Sequence, residues 1–286
     1  MLVICNYTQN QRKTQMNLPL AFTYPTNTFN VKDTLECGQL FRYKKLDEVT
    51  YEVFSQDKYC QVVQGESEVF VYTHDKDYFW NFFDCDTDYE TKVERISAIS
   101  PLMAEAVSYG KGIRILNQDL TEMIFCFIIS ANNNIKRIQL IVERLCEALG
   151  QKTEYGYAFP TVEKMAEQSV EFYSRLGAGY RDKYLLATAQ KLLTYDIDNL
   201  VKMDTATARK ELLTFMGVGP KVADCILLFG MRHGDVFPVD TWLKKVYHQY
   251  FEQGHADHQL SAYFCNLFGE DAGLCQQYLF YFQRKV

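Results

Sequence analysis

Clustered cysteines are the first thing missing from this chain. Nine are scattered at positions 5, 37, 60, 85, 126, 146, 225, 265 and 275 with no CxxC pair. That spacing disfavours a zinc ribbon or a four-cysteine iron–sulfur site, whose ligands must be gathered by short loops. Dispersed thiols in odd number read as reduced and mostly buried, and point to residence inside the cell. No apolar run approaches the roughly 20 residues that span a bilayer. The opening MLVICNYTQNQRKTQMN has no basic stretch ahead of its short LVIC, so neither a membrane segment nor a secretory leader is expected. An excess of positive charge is lacking too, and the formal net charge of −6 taken alone argues against a polyanionic partner. Fixed-period repeats, low-complexity tracts and long Gly/Ser/Pro linkers are likewise absent.

What is present suits a folded protein: 286 residues, 48% hydrophobic, can bury a sizeable core as one large or two ordinary domains. The first 32 residues contain Arg12, Lys13 and Lys32 but no acid. An organelle presequence shares that balance, although an unstructured tail accounts for it more simply. From about Phe29 to Tyr72 the stretches VKDTLECGQLFRY, TYEVFS, YCQVVQ and EVFVYT are rich in β-branched and aromatic residues between polar turns, and predict a small antiparallel sheet. Beyond YFWNFFD, apolar residues recur at helical spacing through TKVERISAIS, LTEMIFCFIIS, IKRIQLIVERLCEALG, VEKMAEQ, YLLATAQKLLTYD and ARKELLTFM. The expectation is an α+β fold with an N-terminal antiparallel β-sheet domain packed on an α-helical bundle. Its bounds are a tail over 1–16, the sheet domain over 17–112 and the helical region over 113–286.

One stretch asks a chemical question. In DTATARKELLTFMGVGPKVADCILLFG, Asp204 is a plausible N-cap, a helix is expected to stop at Gly217, and Gly219 with Pro220 starts the next one. The product is a helix-hairpin-helix whose free amides, at the positive end of a helix dipole, can seat a phosphate. Taken alone, a GxG is more simply read as an ordinary helix–helix turn. Lys221 follows at the mouth of the second helix, where nearby donors and the dipole disfavour its ammonium form and leave more neutral amine to act as a nucleophile. Asp240, in VFPVD, reads just as easily as a plain N-cap for TWLKKVYHQYF.

Taken together, GVGPKVADC followed by PVD resembles the helix-hairpin-helix, Gly/Pro-rich loop and aspartate signature of DNA glycosylases (the HhH-GPD superfamily). Within it the chain looks like an 8-oxoguanine DNA glycosylase/AP lyase. The segments ECGQLFRY, IRILNQDLTEMIFCFIISANNNIKRI, VERLCEALG, LGAGYRDKYL and AGLCQQYLF follow in family order over roughly residues 30 to 285. The resemblance implies a bifunctional enzyme that flips a damaged base out of the duplex. Lys221 would attack the sugar C1′ and form a Schiff base. Asp240 would stabilise the positive charge developing on the sugar, and β-elimination would then cleave the strand 3′ to the abasic site.

The resemblance also implies a pocket. Gly38 matches the glycine whose carbonyl accepts the N7–H of 8-oxoguanine, Phe280 and Cys225 match the two groups that sandwich the base, and Gln276 matches the amide that reads its Watson–Crick edge. Without it, Gly38 is a turn glycine, Phe280 a core or amphipathic-face residue and Cys225 a buried thiol. Asn132 matches the residue that fills the gap left by the flipped nucleotide, with Asn133 beside it; an Asn run can equally just end a helix. Arg137 and Arg181 match readers of the orphaned cytosine, and Tyr180 the wedge at the gap. Gly217 and Gly219 shape the phosphate-binding hairpin.

Two positions depart from the family pattern. Trp242 stands where a histidine often contacts a phosphate, and its indole has a single N–H donor. Pro220 replaces a hydroxyl residue, which the first helical turn tolerates. Lys44, Lys45, Arg181, Lys183, Lys221, Lys244 and Lys245 are expected to converge on one face and answer the objection raised by the negative total. The implied partner is double-stranded DNA containing an oxidised guanine, met by a monomer away from membranes, in the cytoplasm of a prokaryote or the nucleus of a eukaryote. No metal or cofactor is required, although a structural cation on the hairpin carbonyls of Leu213, Phe215 and Val218 fits such loops. Two other readings stay open: a glycosylase of the same superfamily for another damaged base, and a DNA-binding module without catalysis.

Overall fold

Alternation of apolar and polar residues builds the first layer. In the computed structural model, which describes residues 18–251 and 254–284, five strands form one antiparallel sheet. They are β1 (Leu20–Pro25), β2 (Tyr43–Lys45), β3 (Thr50–Ser55), β4 (Lys58–Gln64) and β5 (Glu68–Tyr72), in the order β1-β5-β4-β3-β2. Along β3 every second residue, Tyr51, Val53 and Ser55, is buried. The register sets Val53 beside Cys60 and Val62 beside Val71, so one face is apolar. That face closes on Phe29, Val31, Leu35, Phe79, Phe82 and Phe83, carried on or beside the helices α1 (Val31–Glu36) and α2 (Lys76–Phe82).

Two local expectations are corrected here. VKDTLECGQLFRY is not one strand. The Asn30 side chain accepts from the Asp33 amide at 2.9 Å and starts α1, leaving only Tyr43–Lys45 extended. Cap chemistry and the burial of Val31, Thr34 and Leu35 on one helical face outweigh the β-branched composition. The sheet also begins before Phe29, since β1 pairs with β5 along its length. The tail expected over 1–16 lies outside the described residues.

Thirteen further helices follow: α3 (Tyr89–Ser97), α4 (Pro101–Tyr109), α5 (Leu120–Ser130), α6 (Ile135–Leu149), α7 (Val162–Ala166), α8 (Val170–Arg175), α9 (Asp182–Leu192), α10 (Ile197–Val201), α11 (Thr205–Leu212), α12 (Pro220–Met231), α13 (Thr241–Tyr250), α14 (Leu260–Phe268) and α15 (Ala272–Gln283). They gather around two apolar cores. In one, α5 is buried on nearly every side and packs against α12, with Phe127 stacked on Phe229 at 5.4 Å. The other unites α3 and α4 with α13, α14 and α15, so residues 89–113 pack with the C-terminal helices, across the boundary expected near 112. Sheet and bundle are joined by the buried Arg42–Glu122 pair at 3.2 Å, in which Arg42 also donates to the Tyr157 carbonyl at 2.6 Å. Among the described residues no helix is long and apolar enough to cross a membrane.

Candidate active site and nucleic-acid interface

The hairpin is built by caps at both ends. Asp204 accepts from the Thr207 amide at 3.0 Å and starts α11. That helix ends at Leu212 rather than running on to Gly217, because Thr214, Phe215 and Val218 donate to carbonyls three residues back and tighten the chain into a turn. Gly217 then takes φ +85°, and the Tyr184 ring occupies the space a Cβ would need, so this glycine is demanded by conformation and contact together. Gly219 caps α12 with Pro220 as its first residue, as its sequence predicts. A Cβ at Gly219 would meet nothing within 4 Å, so the backbone there is open to approach. Beside the turn, the Lys191 ammonium bonds Thr214 Oγ1 at 2.5 Å and lies 4.0 Å from the Phe215 ring centroid.

Lys221, one residue into α12, lines a 450 Å³ cavity together with Asp240, Gly38, Phe280, Trp242, Asn133, Phe127 and Arg284. Residues far apart in sequence meet there. The Lys221 ammonium lies 5.6 Å from the Phe127 ring centroid, and Cys225 follows one turn along the same helix. Burial pushes the Cys225 thiol up to about 11, opposed by that ammonium, so the sulfur remains a neutral wall. Asp240 caps α13: its Oδ1 accepts from the amides of Trp242 and Leu243 at 2.9 and 3.0 Å, leaving Oδ2 without a protein partner among the described residues. The two groups form no direct ion pair within 4 Å. Gly38 takes φ +92°, and a Cβ there would press on Phe280 Cε1 at 3.1 Å. Cys225 and Gln276 are buried and are not part of this lining, and Gln276 Oε1 is sealed from solvent without a hydrogen-bond partner. A larger cavity of 530 Å³ lies on the far side of Phe41, bounded by Arg42, Tyr43, Tyr155 and Tyr157, and reaches neither Lys221 nor Asp240.

The remaining interface residues form a second group. Asn132 has φ +49° between α5 and α6 and donates to the Tyr180 hydroxyl at 3.2 Å. Asn133 turns back to the Ile129 carbonyl, and Asn134 caps α6, so the asparagine run ends one helix and starts the next. Tyr180 is 53% exposed, and its hydroxyl also donates to the Ala131 carbonyl at 3.2 Å. Arg137 is exposed and donates to the Gly177 carbonyl at 3.2 Å. Arg181 is otherwise placed: it is buried, stacks on Tyr180 at 4.3 Å and is bound by the carbonyls of Ala131, Ala178 and Asn132. In this structure its guanidinium fixes the asparagine loop. The expected basic face is thinner than its sequence suggests. Lys44, Lys45 and Lys244 pair with Glu143, Glu48 and Asp257, whereas Lys183, Lys221 and Lys245 have no carboxylate partner among the described residues.

Sequence reasoning missed Arg284. Its signal was its position four residues after Phe280, one helical turn along the same face, but only the closure of α15 onto Gly38 brings the guanidinium into the cavity.

Residues 21–124 match the family model of the 8-oxoguanine DNA glycosylase N-terminal domain, and residues 125–263 that of HhH-GPD superfamily base excision DNA repair proteins. An N-glycosylase/DNA lyase of Saccharomyces cerevisiae is 31% identical over 80% of this chain and 68% of its own length. One from Arabidopsis thaliana is 28% identical over 93% and 77%. Among solved structures, the 8-oxoguanine glycosylase/lyase of Clostridium acetobutylicum, in complex with double-stranded DNA containing cytosine opposite 8-oxoguanine, superposes with a TM-score of 0.87. It is 33% identical, and the alignment covers 94% of this chain and 99% of that one.

Proposed function

The chain belongs to the 8-oxoguanine DNA glycosylase/lyase family of the HhH-GPD superfamily, and from that membership we propose how its own residues divide the work. The enzyme excises 8-oxoguanine from double-stranded DNA and cleaves the resulting abasic site. Lys221 is the nucleophile: its neutral amine attacks C1′, the bond from C1′ to the base breaks, and the base leaves with the bonding electrons and takes up a proton. The furanose ring then opens as the C1′–O4′ bond breaks and O4′ takes the proton released from Nζ, which leaves the sugar held as a Schiff base on Nζ. Loss of a proton from C2′ expels the 3′ phosphate, and hydrolysis of the Schiff base returns Lys221. Asp240 remains an anion and stabilises the charge that grows on the sugar as the base departs.

Gly38, Phe280, Cys225 and Gln276 receive the flipped base. The unpartnered Gln276 Oε1 supports that role, because a buried acceptor without a donor calls for a ligand N–H. Asn132, Asn133, Arg137, Tyr180 and Arg181 serve the gap and the base opposite. Exposed Arg137, which spends one donor on the Gly177 carbonyl, offers its remaining donors to cytosine, while Arg181 acts by holding the loop. Gly217 and Gly219 shape the phosphate seat, and Trp242 with Lys245 over its ring at 4.6 Å borders the cavity mouth. The reaction needs no cofactor. A cation on the hairpin carbonyls of Leu213, Phe215 and Val218 would add to the charge that Lys191 already brings to the turn, so the phosphate grip does not depend on it.

One observation carries this reading: Lys221 and Asp240, from different helices, line one cavity with Gly38 and Phe280. Borohydride reduction during turnover of an 8-oxoguanine·cytosine duplex tests it. The parent protein is expected to give a slowly migrating covalent adduct and Lys221→Gln none; an equal adduct in both would displace Lys221 as nucleophile.

A further inference from the structure

Arg284 has no part in the chemistry above, yet it reaches the base cavity. Its guanidinium carbon stands 5.1 Å from the Phe280 ring centroid. Nη1 lies 3.5 Å from where a Cβ on Gly38 would sit, at the same wall. That nitrogen is sealed from solvent and has no hydrogen-bond partner among the described residues. The buried arginines Arg42, Arg114 and Arg181, by contrast, all donate to backbone carbonyls. A charged N–H withdrawn from water without an acceptor is costly, so the arrangement calls for an accepting atom brought in from outside the protein.

We propose that Arg284 is a specificity-determining residue that donates a hydrogen bond to the C8 carbonyl of the oxidised purine. The inference rests on the reading in which the flipped base enters this cavity with N7 toward Gly38. Oxidation reverses the chemistry of the five-membered ring edge. Guanine offers an acceptor at N7 beside a C8–H, whereas 8-oxoguanine offers a donor at N7–H beside an acceptor at C8=O. A backbone carbonyl at Gly38 next to a guanidinium N–H presents acceptor beside donor, which complements the oxidised edge at both atoms. Charge and geometry favour arginine for this task. Its guanidinium stays protonated and planar, and its place over Phe280, the ring assigned to base stacking, sets its height relative to the base. Reading C8=O directly adds a second point of discrimination to the N7–H contact, and a site built for a polar group rejects a base lacking it by leaving a buried donor unpaired.

The test measures equilibrium binding in a Lys221→Gln background, which prevents turnover. Three duplexes are compared: 8-oxoguanine opposite cytosine, guanine opposite cytosine, and a tetrahydrofuran abasic analogue opposite cytosine. Arg284→Met keeps the stem and removes the donors. It is expected to weaken binding to the 8-oxoguanine duplex by about ten- to a hundred-fold, the loss of one charge-assisted hydrogen bond, while binding to the abasic duplex stays at the parent level. The abasic duplex thus also reports that the variant is folded. Arg284→Lys, which keeps the charge without the planar fork, is expected to fall between. Equal loss on the lesion and abasic duplexes would assign Arg284 to the DNA backbone and overturn the proposal, as would a parent-like preference for 8-oxoguanine in both variants. If the Lys221-intact parent fails to excise 8-oxoguanine at all, the functional reading itself falls; if the parent excises it and the Arg284 variants keep the parent's preference for the lesion, the base reading stands without this contact.

Discussion

The carboxylate oxygen Oδ1 of Asp240 accepts the Trp242 amide at 2.9 Å, at the first turn of α13. Two readings of this residue, helix cap and catalytic anion, are therefore compatible, since one oxygen caps while the other is left without a protein partner. Asparagine caps nearly as well as aspartate, so Asp240→Asn is expected to cost no more than about 1 kcal/mol of stability, chiefly from the lost charge at the helix N-terminus. Excision of 8-oxoguanine should fall by about 10²–10³-fold or more, the scale of losing one preorganised electrostatic stabiliser. Urea denaturation and single-turnover excision read the two effects separately. Unchanged excision would reduce Asp240 to a cap.

Gly38 occupies a left-handed conformation with the Phe280 ring edge directly beyond it. Gly38→Ala is expected to strain the backbone by roughly 1–2 kcal/mol and to push Phe280 into the cavity. Excision should drop much further than affinity for an undamaged duplex, because the hairpin and the asparagine loop are untouched. A variant that loses both equally would place Gly38 in the fold rather than in the pocket.

The parts of the site that were legible in the sequence are those set by local chemistry. Glycines around a turn, proline at a first helical position, and aspartates ahead of helices announce the hairpin, Lys221 and the caps at Asp204 and Asp240 within a few residues of chain. VKDTLE misled because its β-branched residue and its cap point to different structures, and tertiary burial of Val31 and Leu35 decides for the helix. In sequence Arg181 is matched only by resemblance to a reader of the orphaned cytosine, and nothing local shows the three carbonyls that surround it. Nothing local marks Arg284, whose surroundings come from a glycine in the first layer and an aromatic ring in the last helix. Nor does a list of lysines show which ones will find carboxylates, as Lys44 and Lys244 do.

The Arg42–Glu122 pair is a buried ion pair between sheet and bundle. Burial pushes the Glu122 carboxyl up, opposed first by Arg42 and then by the Gln56 amide. Arg42→Met removes the cation and leaves an uncompensated buried acid, with an expected loss of about 3–5 kcal/mol. Adding Glu122→Gln to that variant should recover much of the loss, since the orphaned charge goes with it. Chemical denaturation of the four proteins of this cycle measures the coupling. No recovery in the double variant would mean that Arg42 contributes mainly through the Tyr157 carbonyl.

Asp224 lies one turn after Lys221 on α12, 2% exposed. Its Oδ1 is 2.7 Å from the Arg209 guanidinium of α11, and its Oδ2 accepts from Ser261 at 3.1 Å in α14. It ties both helices of the hairpin to the C-terminal core. Burial pushes its carboxyl up to about 6 from the ordinary 3.8, outweighing Arg209, Ser261 and Lys221, which all pull it down. The sign follows from linkage. With the folded value above the unfolded one, the folded protein holds a proton that the unfolded chain has released. This contribution is complete below pH 3.8 and disappears as pH rises through 6. A shift of that size corresponds to about 3 kcal/mol at most, and less in practice because Arg209 is one-third exposed and screened by solvent. Subtracting the Asp224→Asn stability curve from that of the parent isolates the term from other carboxyls. The difference is expected to favour the parent increasingly as pH falls from 7 toward 4, with its steepest change between 6 and 3.8. A flat difference would mean that Arg209 keeps Asp224 at an ordinary carboxylate value, and that the hairpin is pinned by a charged pair throughout.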